Sequence, residues 1–249
     1  MKAIENERIC ELWGKRCLEF TFFERECKIV FPEEKTKNGK WLLKTEYFSA
    51  FPAVEQAMLE RGYHVAYIQN KSRWMLPEDI EAKEEFARLL SERFGLNKKC
   101  VTVGMSCGGL IATYFAAKHP ERIAAMYLDA PVMNLLSCPA YVGRDASKNE
   151  GMMDELTRQT GRTLSDLINY RNHPIDNAPV LLENKIPIIL VSGDSDSVVP
   201  YSENGLMLER LYKDGGGEIE VIIKKGGDHH PHGLDDPTPI IEFIEKHYK

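Results

Sequence analysis

The sequence lacks any apolar run long enough to span a bilayer, and it contains no internal repeats and no low-complexity segments. Near the N-terminus, acidic residues stand at positions where a signal peptide would need an apolar core. Lys and Arg residues are interspersed with Asp and Glu residues, with a net charge of -6, and form no basic stripe. We therefore expect a cytoplasmic protein that has neither a membrane nor a nucleic acid as its partner.

The cysteines also lack a pattern, because they are irregularly spaced and form no CxxC pair. The six are Cys10, Cys17, Cys27, Cys100, Cys107 and Cys138. This spacing argues against a disulfide scaffold and against a zinc site, so free thiols are expected. A chain of 249 residues with 43% hydrophobic content can bury one large core. We therefore expect a single domain over residues 1–249.

Apolar runs of β-strand type alternate with helical patterns along most of the chain. The sequence predicts a hairpin at 17–31 and further strands at 41–48, 64–68, 100–103, 124–128, 186–191 and 218–223. It predicts helices from Pro52 to Gly62 and at 77–94, 110–118 and 238–247. This alternation is typical of the α/β class, with a mostly parallel central sheet and helices on both faces.

The alternation breaks between Pro131 and Pro179, where mixed polar residues, several prolines and short amphipathic pieces follow one another. An open α/β sheet keeps its functional site at the carboxyl ends of its strands, and an insertion can cover that edge. We expect a cap insertion at about 131–180.

The most informative motif is Gly104-Met105-Ser106-Cys107-Gly108, which lies between a strand-type run and a helix-forming run. This is the layout of a nucleophile elbow, in which a serine at a tight strand-to-helix turn projects out of the sheet. The backbone N–H of the following residue, Cys107, then faces an incoming carbonyl as an oxyanion donor. Ser106 is the candidate nucleophile.

A serine hydroxyl needs a histidine base and a carboxylate that orients the base, and both should follow in the order Ser, Asp, His. The turn after the strand at 186–191 supplies Asp194 and Asp196, and the loop after the last strand supplies His229, His230 and His232.

The histidine loop also admits a metal-binding interpretation, since Asp228 and the three histidines after it are all possible ligands. That interpretation has no matching remote cluster of ligands in the sequence. The elbow serine together with a downstream aspartate favours a catalytic triad instead.

These motifs, in this order and over almost the whole chain, resemble the α/β-hydrolase superfamily. The resemblance implies that Asp196 is the acid, because Val199-Pro200 follows it at the spacing common in that family, and leaves Asp129, one strand earlier, and Asp194 as rivals. Counting from the end of the last strand, it favours His229 as the base, whereas counting back from Pro237 favours His230, and His232 is a third option.

The resemblance also places the second oxyanion donor in the loop after the strand that begins at Trp41. The candidates are the backbone N–H groups of Glu46 and Tyr47, and we choose Tyr47. Finer motifs resemble a bacterial serine-hydrolase group often associated with carbohydrate degradation; they are Asp129-Ala130-Pro131-Val132, Pro174-Ile175-Asp176-Asn177, Ser202-Glu203-Asn204 and the segment from His229 to Ile240. The chain departs from that group with Cys107 in place of a common Arg and with Trp41-Leu42-Leu43-Lys44 in place of Trp-x-x-Arg.

The resemblance implies a serine hydrolase that cleaves a carboxylic ester, either a small acyl ester or an acylated sugar, through an acyl-enzyme. Peptidases, thioesterases and carbon–carbon bond hydrolases use the same acyl chemistry and remain alternatives. An alternative of another class is a ligand-binding protein that uses the fold without turnover. The expected partner is a small-molecule ester, and the chemistry needs no cofactor and no metal.

Overall fold

The structure is a computed structural model that describes residues 4–143, 145 and 151–249. The described residues form nine strands: β1 (Glu5–Leu12), β2 (Lys15–Phe22), β3 (Arg25–Val30), β4 (Trp41–Lys44), β5 (His64–Ile68), β6 (Cys100–Met105), β7 (Ile123–Asp129), β8 (Ile188–Gly193) and β9 (Ile219–Lys224). They also form eight α-helices: α1 (Ala53–Glu60), α2 (Pro77–Phe94), α3 (Cys107–Lys118), α4 (Met152–Thr160), α5 (Leu164–Asn169), α6 (Pro174–Glu183), α7 (Gly205–Asp214) and α8 (Thr238–His247).

All nine strands join one sheet in the order β1-β2-β3-β5-β4-β6-β7-β8-β9. The first three strands are antiparallel, and β3 is antiparallel to β5, whereas all neighbours from β5 to β9 are parallel. The order reverses at β4, since the chain passes to β5 on one side of it and to β6 on the other. Ligands of open parallel sheets bind where the strand order reverses.

Helices cover both faces of the sheet, which confirms the predicted fold class. On one face, residues of α2, α3, α6 and α7 share a core cluster with side chains such as Leu128 and Leu190. On the other face, α1 and α8 pack against side chains such as Val103 and Tyr127. Every residue of β6 and β8 is buried, because a parallel strand with helices on both sides has no solvent face. This explains why these strands are continuous apolar runs.

Three local differences separate the structure from the sequence predictions. The strand predicted at 41–48 ends at Lys44, and the chain then turns, with a positive φ of 53° at Tyr47. The helix predicted from Leu110 begins at Cys107, directly after the elbow serine. The strand β1 was not predicted, because its residues are mostly polar and exposed at the edge of the sheet.

The predicted cap at 131–180 includes residues 144 and 146–150, which lie outside the described residues, as do residues 1–3 of the N-terminal segment. The described part of this predicted segment contains α4, α5 and most of α6, and α6 packs against α3 in the helical layer of the sheet. Asn204, from one of the finer motifs, accepts the backbone N–H groups of Met133 and Asn134 with its side-chain oxygen and so fixes the start of this region. Within the part of the chain that the structure describes, none of the helices combines the length and hydropathy needed to cross a bilayer.

Candidate active site

Ser106 occupies the turn between β6 and α3 with φ 52° and ψ -120°. This conformation is unfavourable for a residue with a side chain and persists only where the surroundings fix it. The Ser106 N–H donates to the Asp129 carbonyl at 2.9 Å, and the Ser106 carbonyl accepts from Gly109 and Val132 at 3.0 and 3.1 Å. These contacts hold the strained turn in place from both sides.

Two glycines beside the serine allow β6 and α3 to approach each other closely. A Cβ atom on Gly104 would lie 2.6 Å from the Gly108 carbonyl oxygen, and one on Gly109 would lie 2.4 Å from Pro131 Cβ. Both distances are shorter than real contacts permit, and in each case part of the obstruction is backbone or a rigid proline ring. The elbow therefore needs glycine at these two positions for packing.

The structure brings Ser106, His229 and Asp196 into one hydrogen-bonded chain, although they are far apart in sequence. The Ser106 Oγ lies 3.1 Å from His229 Nε2, and His229 Nδ1 lies 2.8 Å from Asp196 Oδ2. All three residues are at most 9% exposed. This arrangement can transfer a proton from the hydroxyl to the imidazole and stabilise the imidazolium that forms.

Asp196 is fixed by its own turn after β8. Its Oδ1 accepts the backbone N–H groups of Val198 and Val199 at 2.9 and 2.8 Å, which leaves Oδ2 for His229. Asp194, the rival in the same turn, is exposed and accepts the Gly226 N–H at 2.7 Å instead. The turn thus directs the two carboxylates to different partners.

A second buried histidine–aspartate pair lies beside the first. His232 Nδ1 is 2.6 Å from Asp129 Oδ1, and Asp129 Oδ2 accepts the Gly233 N–H at 2.7 Å and the Tyr127 hydroxyl at 3.0 Å. Asp129, at the end of β7, is 1% exposed and His232 is 8% exposed. This pair joins the alternative acid to one of the alternative bases, and it anchors the histidine loop to the sheet.

His230 is exposed and lies between the two pairs, with its ring centroid 4.8 Å from that of His229 and 4.9 Å from that of His232. Partial burial, together with the two neighbouring imidazoles, lowers the pKa of His230. Ring nitrogens of the three histidines lie within 4.8 Å of one another, as metal ligands could. A second group of this kind among the described residues is Glu84, His119 and Glu121.

The predicted oxyanion donors lie on the two segments that follow β6 and β4. As the first residue of α3, Cys107 has a backbone N–H without an acceptor inside the helix. The backbone N–H of Tyr47 donates to the Glu46 carboxylate at 3.3 Å. A Cβ atom on Gly108 would lie 3.3 Å from Glu46 Cβ, so the loop after β4 packs directly on the start of α3.

Sequence reasoning missed two residues that hold this loop, Asn70 and Lys83. The Asn70 amide donates to the Thr45 carbonyl at 2.7 Å and to the Glu46 carboxylate at 2.6 Å, and the buried Lys83 ammonium contacts the Asn70 amide oxygen. Burial lowers the pKa of Lys83 to about 8. The signal for Lys83 was its place on the apolar stripe of α2, among residues such as Phe86, where a lysine needs a polar partner.

Cys107, the residue after Ser106, carries a buried thiol. Burial raises the pKa of Cys107 to about 11, against the opposing effects of the Arg73 guanidinium and the Tyr47 hydroxyl. Arg73 lies 3.5 Å from the Tyr47 hydroxyl and pairs with Glu155 of α4 at 2.9 Å. A protonated, buried thiol has a packing role rather than that of a reactive cysteine.

The sequence of this chain matches a known protein family. Residues 60–249 match the model of the prolyl oligopeptidase family. The chain belongs to the prolyl oligopeptidase family. This family membership, together with the fold, places the chain in the α/β-hydrolase superfamily, as the sequence motifs predicted.

Solved structures share the fold at low sequence identity. Est1E from Butyrivibrio proteoclasticus is 14% identical with a TM-score of 0.62, and the match covers 96% of each chain. An acylaminoacyl peptidase from Pyrococcus horikoshii is 17% identical with a TM-score of 0.62, over 92% of this chain and 38% of that one. This family member therefore spans about two fifths of the peptidase's length. No curated protein sequence gives a significant match.

Proposed function

We propose that this family member hydrolyses carboxylic esters, with Ser106 as nucleophile, His229 as base and Asp196 as the acid that orients the base. The observation that carries the proposal is the continuous hydrogen-bonded chain from the Ser106 hydroxyl through the His229 imidazole to the Asp196 carboxylate. A protein that only binds a ligand has no need of this chain or of a strained serine at its end.

In the proposed reaction, His229 Nε2 takes the proton of Ser106 as the hydroxyl attacks the ester carbonyl. Asp196 Oδ2 stabilises the imidazolium through Nδ1, and the imidazolium returns the proton to the leaving alcohol. Water, activated by the same imidazole, then releases the acid from the acyl-enzyme. The developing oxyanion accepts hydrogen bonds from the backbone N–H groups of Cys107 and Tyr47, of which the second must first leave the Glu46 carboxylate.

Ester substrates are favoured over peptides by the match to the esterase Est1E, which aligns over nearly the whole of both chains. We propose a small acyl ester or an acylated sugar as the substrate class. Peptide cleavage is the second candidate, because the family is named for an oligopeptidase and several structural matches are peptidases. Both reactions use the same triad, so substrates must separate them.

The triad is tested by labelling the purified protein with a fluorophosphonate probe and mapping the adduct by mass spectrometry. We expect one adduct on Ser106, which is lost in Ser106→Ala and His229→Ala and kept in His230→Ala and His232→Ala. An adduct that survives in His229→Ala but is lost in one of the other histidine variants would assign the base to that other histidine. A folded wild-type protein that takes no label would overturn the proposal.

The substrate class is tested with pairs of substrates that share an acyl group. We expect turnover of p-nitrophenyl acetate and of acetylated monosaccharides, and no cleavage of N-acyl-aminoacyl p-nitroanilides or short peptides. Because serine peptidases also cleave activated esters, the deciding result is the amide. Measurable anilide or peptide hydrolysis that disappears in Ser106→Ala would favour the peptidase candidate.

A further inference from the structure

The three histidines of the loop after β9 converge although only one of them is needed as a base. The ring centroids of His229, His230 and His232 are 4.8 to 4.9 Å apart in every pairing. One ring nitrogen from each lies within 4.8 Å of the others. Small side-chain rotations would bring three nitrogens to the spacing of ligands around one metal ion.

Two of these imidazoles are already held as metal ligands usually are. A histidine that binds a metal through one ring nitrogen commonly donates the other N–H to a carboxylate, which fixes the ring and its tautomer. His229 Nδ1 is paired with Asp196 and His232 Nδ1 with Asp129, and both carboxylates are buried. The nitrogens left to bind a metal are therefore the Nε2 atoms.

We propose that His229, His230 and His232 form a binding site for a divalent ion of the zinc type, and that the bound ion blocks the active site. Three imidazole nitrogens and a water molecule are a ligand set that Zn²⁺ accepts. Because His229 Nε2 also contacts the Ser106 hydroxyl at 3.1 Å, it cannot bind the ion and accept the serine proton at the same time. The ion is an inhibitor and has no part in ester cleavage.

The exposed ring of His230 makes the site accessible from solvent. His230→Ala therefore removes one ligand without changing a buried core residue. His229 and His232 are buried, whereas His230 faces solvent. Ions enter from the side of His230, and a substitution there removes one ligand while both buried histidine–aspartate hydrogen bonds keep their partners. The inhibitory effect rests on the proposed function, but binding of the ion does not.

The first test measures binding without any substrate. Zn²⁺ is titrated calorimetrically into the reduced, metal-free wild-type protein, and Co²⁺ is added separately to record the visible absorption of nitrogen-bound cobalt. We expect one site in the wild type, weakened at least about tenfold in His230→Ala, as even loss of a supporting residue has that effect. His119→Ala, in the other candidate group, and Cys10→Ser, at the least buried thiol, serve as matched controls that keep the site.

The second test measures the rate of fluorophosphonate labelling at Ser106 with and without Zn²⁺, each variant being compared with its own metal-free rate. We expect Zn²⁺ to slow labelling in the wild type and in His119→Ala, and to slow it far less in His230→Ala. A chelator should restore the metal-free labelling rate. Equal binding in the wild type and His230→Ala, or no cobalt absorption, would overturn the metal site. Failure of metal-free labelling alone would overturn the proposed function and leave the binding result intact.

Discussion

Two histidine–aspartate pairs lie side by side in this molecule, and they differ in what else the imidazole contacts. In both pairs a histidine places Nδ1 within 2.8 Å of a buried carboxylate at the carboxyl ends of neighbouring strands. In the first pair, His229 Nε2 contacts the hydroxyl of Ser106. In the second, the imidazole of His232 packs edge-on against Phe51, 5.3 Å between ring centroids.

The remaining carboxylate oxygens show the same contrast. Asp196 Oδ1 accepts two N–H groups of its own turn, so neighbouring residues in the sequence fix the orientation of this carboxylate. Asp129 Oδ2 accepts from Gly233, 104 residues away, and from Tyr127 of its own strand. The second pair thus connects the sheet to the loop that carries His229. Identical pair chemistry gives a candidate catalytic unit in one place and an anchor in the other, and the difference lies in the third contact.

The largest expected contrast is in catalysis. His229→Ala should lower kcat/KM for a small ester by about 10⁴-fold or more, because it removes the proton acceptor of Ser106. His232→Ala should lower it by less than about tenfold, through looser placement of the loop. Steady-state kinetics on the same ester, with circular dichroism to verify folding, measures both; equal losses would mean that the two pairs act as one unit.

Removing the acid of the second pair should instead affect stability. Asp129→Ala leaves the Nδ1–H of His232, the Gly233 N–H and the Tyr127 hydroxyl without their buried acceptor, at a cost of about 1 kcal/mol or more each. A total of about 3 kcal/mol would lower the Tm by about 6 to 12 °C in a chain of this size. Urea and thermal unfolding measure it, with Asp194→Asn, at an exposed carboxylate, as the comparison variant. An Asp129→Ala protein with wild-type Tm would show that the second pair is not an anchor.

A smaller loss of stability is expected from Tyr127→Phe, which deletes one hydroxyl and keeps the buried ring. The hydroxyl donates to Asp129 Oδ2 at 3.0 Å, and a hydrogen bond to a carboxylate contributes about 1.5 kcal/mol or somewhat more. The free energy of unfolding should fall by that amount, while kcat stays within about twofold. The variant pair Asp129→Ala and Asp129→Ala with Tyr127→Phe is the control, since the second substitution should cost little once the acceptor is gone.

The helices and strands that could be predicted are those with one buried face, because burial of that face gives the sequence a regular spacing of apolar residues. The helix at 77–94 was predicted with the bounds that α2 has, because its apolar stripe ends at Gly95, which adopts the left-handed conformation. The edge strand β1 has no such signal, since most of its side chains are exposed and β2 is its only neighbouring strand in the sheet that the described residues form. The early end of β4 could not be predicted either, because Thr45 and Tyr47 have high strand propensity, and the turn is held by tertiary contacts with Gly108 and Asn70.

At the site, the elbow could be predicted because its glycines, the strand before it and the helix after it are adjacent in the sequence. The spacing of Val199-Pro200 favoured Asp196, and the structure places that carboxylate beside His229. The pairing of Asp129 with His232 could not be predicted, since 103 residues separate them and each also suits a catalytic role. Lys83 and Asn70 were missed for the same reason. They support the loop after β4 through contacts between residues far apart in sequence, Lys83 with Asn70 and Asn70 with Thr45.

The smallest expected effect concerns Asp194, a third carboxylate in the same region with no histidine beside it among the described contacts. Its Oδ1 accepts the Gly226 N–H at 2.7 Å and the Ser195 hydroxyl at 3.1 Å, both at the surface. Asp194→Asn retains a carbonyl oxygen for these donors, so kcat/KM should stay within about twofold and the Tm within about 2 °C of the wild type, as for most surface substitutions. Asp196→Asn is the matched variant, two residues away, and should lower kcat by about 10⁴-fold because the amide can stabilise the wrong tautomer of His229. If Asp194→Asn produced the large loss and Asp196→Asn the small one, the turn would present the other carboxylate to the base during turnover, and the contrast between anchored and catalytic aspartates would have to be redrawn.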